Sequence, residues 1–300
     1  MFISAADYRW DRSSPAELLP VRIRRLFYLT GITDFNEIRL RCGQPVTVST
    51  SGGNIYILRS GGISKDKNRG ITVTRKDIDE AFDILTDCSV YTYKDEIKNG
   101  FVTAPGGHRV GLCGCVTANG EFIREISGLN YRFAKEVYGC SDSVIENVYN
   151  NGDVRSTLIV SRPGCGKTTF LRDLIRQISD KGCNVSVVDE RCEIAAVNNG
   201  VPGFNIGVNT DVLSMSSKIT GMKLMLRSMS PRVIAVDEFN VSDEGQVIAE
   251  MAESGVSLFA TMHSCDYQKD LGNDVLDKFR CVVVLSDKNG PGTIERCIYA

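Results

Sequence analysis

Two rhythms run along the chain. In the first half, apolar and polar residues alternate. Glu37–Thr50 (EIRLRCGQPVTVST) and Asn54–Ser60 (NIYILRS) have the period of strands with one buried face. Between Thr74 and Asp87 the spacing turns helical, with Ile78, Ala81, Phe82 and Leu85 on one side. Gly100–Ala134 reads as consecutive strands, with turns at Pro105-Gly106-Gly107 and Asn119-Gly120. Ahead of them, Ser14, Pro15 and Glu17 form a helix-start signal. The helix is expected to run to Gly31, with Pro20 bending or splitting it. This half is expected to be α+β.

From Leu158 the rhythm changes. Short apolar runs, TLIV, VSVVD, RVIAVDE, VSLFATMH and CVVVLSD, alternate with amphipathic helices. Strands buried on both faces have this look, which implies a mainly parallel sheet covered by helices. Ser141–Ser156 (SDSVIENVYNNGDVRS) reads as the junction. We therefore expect an α+β domain over 1–140 and an α/β domain over 141–300. Met222, Met225, Leu226 and Met229 recur at helical spacing and read as core packing.

Composition narrows the setting. Over 300 residues the apolar share is 42% and the charged share 24%, normal for a soluble globular protein. The net charge of -2 offers no general attraction for nucleic acid or an anionic membrane. No apolar run approaches the roughly 20 residues that span a bilayer. Charges interrupt Met1–Pro15 where a signal peptide needs an apolar core, so a cytosolic protein is expected. The eleven cysteines include no C-x-x-C pair and read as small buried thiols. Cys113 and Cys115 are expected to share one strand face. His108 and His263 are the only histidines, which excludes a multi-histidine metal centre.

The chemistry begins at Ser161–Thr168, S-R-P-G-C-G-K-T. This matches the phosphate-binding loop G-x-x-x-x-G-K-[ST] at every position but the first. An apolar strand precedes it. A helix follows, with Phe170, Leu171, Leu174, Ile175 and Ile178 on one stripe and Arg172, Asp173, Arg176 and Gln177 off it. Gly164 and Gly166 allow the unusual dihedrals that turn backbone N–H groups into one concavity. Pro163, Cys165 and Thr169 complete the loop. Lys167 is placed to reach the β- and γ-phosphates, and the Thr168 hydroxyl to ligate Mg²⁺. Ser161, at the strand exit, is expected to require only local adjustment.

A second acid must help hold the metal, and another group must orient the attacking water. Asp237 and Glu238 end an apolar strand, at the edge where open α/β sheets bind ligands. Asp237 is assigned to the Mg²⁺ and Glu238 to the water. The same edge receives Asp189, Glu190, Arg191 and Glu193 from one strand and Thr261, His263 and Ser264 from another. His263 is expected to sense the γ-phosphate. No Asn-Lys-x-Asp sequence supports a GTPase, and SDKNGPG (Ser286–Gly292) is a poor substitute. No arginine lid supports a small-molecule kinase. ATP hydrolysis is the main expectation, with a nucleotide-gated scaffold that scarcely hydrolyses ATP and a nucleic-acid translocase as the alternatives.

GGHRVGLCG, LNYRFAKEV, PGCGKTTFLRDLIR, VVDERCEIAA, NTDVL, MLRSMSPRVIAVDE and ATMHS occur in this order. Together they resemble the stage III sporulation protein AA family, itself similar to the hexameric ATPases of type II and type IV secretion systems and pili. The likeness runs from about Glu37 to the C-terminus. It implies a small N-terminal domain and a RecA-like ATPase domain using ATP and Mg²⁺. Its four motifs fall at Gly164–Thr169, Asp189–Glu193, Asp237-Glu238 and around His263. It also implies arginines supplied by the N-terminal domain, with Arg132 the first candidate and Arg109 the second. The resemblance further implies a homo-oligomeric, hexameric ring that powers a mother cell–forespore channel through membrane-protein partners. Ser161, Asn209, Arg232 and Asn240 depart from the family pattern.

Overall fold

The computed structural model describes residues 15–117, 123–134, 136–198, 200–264 and 266–299. The cap read at Ser14 and the turn read at Asn119-Gly120 lie outside the described residues. The chain divides into two compact units, Met1–Lys135 and Glu136–Ala300.

The first unit opens with a 3-10 turn, Pro15–Leu18, and helix α1 (Val21–Thr30). Pro20 separates them, because its ring fits the first turn of a helix but not its interior. Gly31 ends α1 in the left-handed conformation, φ 64°. Strands β1 (Glu37–Arg41), β2 (Thr47–Thr50), β3 (Gly53–Ile57) and β4 (Ile63–Ser64) follow. Helices α2 (Arg75–Leu85) and α3 (Lys94–Lys98) come next, then β5 (Phe101–Ala104), β6 (His108–Val116) and β7 (Ile123–Arg132). The strands form one antiparallel sheet, ordered β4-β3-β2-β1-β7-β6-β5.

Alternation decides which face is buried. Ile38, Leu40, Val48, Ile55 and Ile57 point into a core shared with Ile23 and Phe27 of α1 and Ile78, Ala81 and Leu85 of α2. Thr74 caps α2 through a capping box with Asp77, whose carboxylate also receives Arg22 Nε at 3.0 Å. The opposite rhythm leaves Glu37, Arg39, Arg109 and Arg132 off that core. The expectation of buried thiols fails here. Cys42, Cys88, Cys113 and Cys115 are exposed. Cys113 is in phase with Arg109 and Gly111, on the face opposite the buried Val110 and Leu112, and every residue of the strand beyond Leu112 is exposed.

The second unit begins with α4 (Asp142–Val148) and a hairpin of β8 (Tyr149–Asn150) and β9 (Asp153–Val154). The expected junction is thus folded structure within this unit. Then come β10 (Thr157–Ser161), α5 (Lys167–Asp180), β11 (Val185–Asp189), β12 (Thr210–Ser214), α6 (Lys218–Ser228) and β13 (Val233–Val236). The chain finishes with α7 (Val241–Glu253), β14 (Ser257–His263), α8 (Tyr267–Leu271), α9 (Asn273–Leu276), β15 (Cys281–Ser286) and β16 (Thr293–Tyr299).

Its sheet is ordered β12-β11-β13-β14-β10-β15-β16, parallel except where β16 returns beside β15. The apolar runs give the inner strands, with β10, β11 and β13 buried throughout. The edge strands β12 and β16 are half-exposed and carry no such run. Two helix expectations change. Arg172 and Asp173, read as the polar side of α5, are buried. Met222 and Met225 are core, but Met229 is 44% exposed. Among the described residues, no helix is long and apolar enough to cross a membrane.

Candidate functional site

The parallel strands all point one way, so their C-terminal ends line one edge of the sheet. Buried β10 ends at Ser161, the loop turns through Gly164 and Gly166, and α5 starts at Lys167. Both glycines are left-handed, φ 79° and 84°. A side chain at Gly166 would meet the Gly292 nitrogen at 3.1 Å, whereas nothing lies within 4 Å of the corresponding point on Gly164. The loop therefore needs its glycines for backbone geometry and keeps an open concavity at Gly164. Pro163 and Gly164 are exposed, Cys165 is buried, and Thr168 and Thr169 are half-buried at the first turn of α5.

The strand ends converge on this loop. Thr168 Oγ1 donates to Asp237 Oδ2 at 2.5 Å, and the Thr261 hydroxyl donates to the other carboxylate oxygen. Thr261 Oγ1 also accepts the Glu238 N–H at 2.9 Å. Glu238 has a left-handed backbone, φ 52°, uncommon without glycine. Its carbonyl accepts from Lys218 Nζ at 2.8 Å, so contacts on both sides of the peptide hold it there. The Glu238 carboxylate pairs with Arg191 and lies 3.6 Å from His263 Nε2. On the same imidazole, Nδ1 accepts from Lys167 Nζ at 2.8 Å.

Lys167 has two weaker contacts, Ser161 Oγ at 3.4 Å and the Arg162 carbonyl at 3.5 Å. Burial pushes its amine below the usual lysine range, against the pull of Asp237 and Glu238. A nearby phosphate would favour the charged form. The Thr168–Asp237 pair brings a hydroxyl and a carboxylate together, the hard oxygen ligands that suit Mg²⁺ bound with a nucleotide. The residues present therefore fit both a phosphate chain and its metal.

The structure brings Lys167, Thr168, Asp237, Glu238 and His263 together. Glu190 is exposed and reaches the group indirectly, pairing with Lys218 at 3.3 Å. Asp189 turns inward. Its carboxylate accepts N–H bonds from Glu193, Ile194 and Ala195 at 2.8, 3.1 and 2.8 Å. That acid shapes its own loop. Arg172 grips the same loop through the Ile194 and Glu193 carbonyls and stacks 3.7 Å over Phe204. Ser264 turns away to Asp270 at 2.6 Å.

Arg132 and Arg109 belong to the first unit, where Glu37, Arg132 and Arg109 are register partners across β1, β7 and β6. Arg132 is 64% exposed, 3.8 Å from Glu37. Arg109 lies 3.7 Å over the Phe101 ring.

Sequence reasoning missed Lys218 and Arg172. Lys218 opens α6, although a cation in the first helical turn opposes the helix dipole. That misfit was a legible signal. Arg172 had none, because its burial depends on a loop distant in sequence.

The departures from the family pattern sort by position. Ser161 has no left-handed backbone, and its hydroxyl donates to the Arg162 carbonyl at 2.7 Å. Glycine is not required there. Asn209 holds Ser179 through bonds of 2.8 and 2.9 Å, and Arg232 donates to the Gly152 carbonyl at 2.6 Å. Both precede their strands, at the edge opposite the site. Asn240 donates its N–H to Glu244 at 3.1 Å.

Comparison with known proteins places this arrangement in a family. The model of the family "Sporulation stage III, protein AA" matches residues 11–300, and the chain belongs to that family. It is 33% identical over 277 residues to "Stage III sporulation protein AA" of Bacillus subtilis (strain 168), covering 88% of this chain and 86% of that protein. Among solved structures it is similar to the ATPase DotB of Legionella pneumophila, with TM-score 0.58 and 16% identity over 89% of this chain and 76% of that one. It is also similar to the pilus retraction motor PilT with bound ADP, with TM-score 0.56 and 16% identity over 88% and 76%. These likenesses show the fold: a RecA-like α/β unit with a mainly parallel sheet, preceded by a smaller α+β unit.

Proposed function

We propose that this chain is a Mg-dependent ATP-hydrolysing motor of the secretion-ATPase type, energising a mother cell–forespore channel during endospore formation. The observation that carries the reading is the convergence of Lys167, Thr168, Asp237, Glu238 and His263 at one sheet edge. Family membership supports the sporulation setting.

The chemistry follows from the groups present. The loop N–H groups and the α5 N-terminus receive the phosphate oxygens. Lys167 exchanges its contact with His263 for the β- and γ-phosphates. Thr168 and Asp237 would hold Mg²⁺, which neutralises charge between those phosphates. Glu238 accepts a proton from water as the water oxygen bonds to the γ-phosphorus. The bond to the β-phosphate oxygen breaks, giving ADP and phosphate. His263, between Lys167 and Glu238, registers whether the γ-phosphate is present. Glu190 acts through Lys218, which fixes the Glu238 backbone.

Arg132 is the stronger candidate for completing a neighbouring copy's site. It is exposed and, among the described residues, makes a long contact of 3.8 Å to Glu37, while Arg109 is engaged with Phe101. The reading implies a homo-oligomeric ring, hexameric by family precedent, docked on channel proteins at the cytoplasmic face of the mother-cell membrane. It does not call for nucleic acid. In the basic cluster of Arg22, Arg24 and Arg25, Arg22 pairs with Asp77 and Arg24 with Glu17, and Arg25 is exposed.

Phosphate release from concentrated protein, with and without Glu238→Gln, tests the assignment. The substitution should slow release roughly 100-fold while ATP still binds. Equal rates would reject the hydrolytic role. Tight ATP binding without turnover in an assembled ring would instead indicate a nucleotide-gated scaffold.

A further inference from the structure

The loop that leaves β11 lies beside Glu238, which follows the adjacent strand β13. Buried charge shapes that loop. Asp189 is buried and accepts the Glu193, Ile194 and Ala195 N–H groups, while buried Arg172 holds the Glu193 and Ile194 carbonyls. Cys192 takes a left-handed backbone, φ 54°, uncommon without glycine. Burying charges costs free energy unless they are well bonded, so two side chains are given over to fixing the path of this loop.

Two consecutive residues of the loop address the same glutamate. Glu190 pairs with Lys218 at 3.3 Å, and Lys218 donates to the Glu238 carbonyl at 2.8 Å. Arg191, 61% exposed, pairs through Nη1 with Glu238 Oε2. The other carboxylate oxygen, Oε1, lies 3.6 Å from His263 Nε2, on the side that leads to Lys167. The two oxygens thus have different surroundings. The space shared by the Asp189–Glu193 loop, Lys218 and the Asp237-Glu238 pair is about 10 Å³. That is about the least that holds one water, and too little for a phosphate group.

We propose that Arg191 is a positioning residue for the water-activating carboxylate: it holds Oε2, so that Oε1 is the oxygen presented to the phosphate side. The proposal rests on the hydrolytic reading of the site. Arg191 touches neither nucleotide nor water and acts through Glu238. An unheld Glu238 carboxylate has two other claimants at hand, the Lys167 amine, which already feels its charge, and the His263 imidazole. Pairing with Lys167 would take the cation that the γ-phosphate needs. Arg191 keeps the acceptor oxygen in place, where a displacement of about 1 Å can cost roughly 100-fold in rate. Asp189 and Arg172 fix the point from which Arg191 reaches.

Steady-state phosphate release from the full chain, with Mg-ATP varied, tests this. Arg191→Ala should lower kcat roughly 30-fold and leave KM within about twofold. Arg191→Lys keeps a cation in reach and should stay within about fivefold of the unaltered rate. Added to Glu238→Gln, Arg191→Ala should cost less than about twofold more, because it acts only through that carboxylate. Losses that multiply in the double variant would overturn the assignment. So would a raised KM at unchanged kcat, which would put Arg191 on the nucleotide. Arg191→Gln, of similar length, gives the same readings if the alanine variant does not fold. No release from the unaltered protein with ATP bound would overturn the hydrolytic reading and this proposal with it. Release that Arg191→Ala leaves unchanged would overturn this proposal alone.

Discussion

The two seven-stranded sheets put their polar chemistry in different places. In the first unit the antiparallel sheet buries one face against α1 and α2, and charges such as Arg132 stand off the other face. In the second unit the parallel sheet has apolar strands through its centre, and the reactive groups stand at the strand ends. A face presents a row of side chains set by alternation. An edge gathers side chains from strands far apart in sequence onto one point. The first arrangement suits contact with another surface; the second suits small-molecule chemistry.

Four substitutions test this contrast, beginning at the edge. Lys167→Met should abolish Mg-ATP binding, by roughly 1,000-fold in calorimetry. It should not lower the thermal midpoint, because burial already disfavours this amine's charge. Retained binding would remove Lys167 from the site. On the sheet face, Arg132→Ala should lower phosphate release roughly 50-fold while leaving ATP affinity unchanged. An unchanged rate would make that face a partner surface only.

Packing accounts for the third. Burial opposes ionisation of Asp173, but hydrogen bonds from Ser141 and Arg176 hold its carboxyl down at about 2, from an ordinary 3.8. The stability this provides is present above the ordinary value and lost as pH falls toward the lowered one. Asp173→Asn should cost about 2 kcal/mol near neutral pH and flatten acid unfolding in that window. Denaturation at several pH values measures it, and an unchanged acid profile would make the α5 acid incidental. Smallest is Ser161→Gly, which should alter ATP affinity within about threefold, since the serine backbone is relaxed and its hydroxyl bonds locally. A much larger gain would show that the hydroxyl competes for Lys167.

Legibility followed the same contrast. The inner strands of the second unit could be read because burial on both faces leaves a continuous apolar run. The edge strands β12 and β16 could not, because half-exposure erases it. Cys113 and Cys115 were misread because a general preference of thiols for burial says nothing about which face of a strand they take, and here they stand on an exposed strand end beyond Leu112. Asp189 was read among the acids delivered to the site, yet it is spent on three N–H groups of its own loop. A carboxylate after a strand looks the same in sequence whether it faces a ligand or its own backbone.

By itself, the sequence determined the α+β half, the parallel α/β half, the phosphate loop and the acidic strand end. Those depend on local spacing: alternation, helical period, and glycines beside a lysine and a threonine. The tertiary structure alone decided that Lys167 meets His263, that Lys218 clasps the Glu238 carbonyl, that Arg172 and Asp173 are buried, and that Arg191 pairs with Glu238. Each depends on segments brought together by sheet order and loop packing, and no local pattern of side chains records which distant group will arrive.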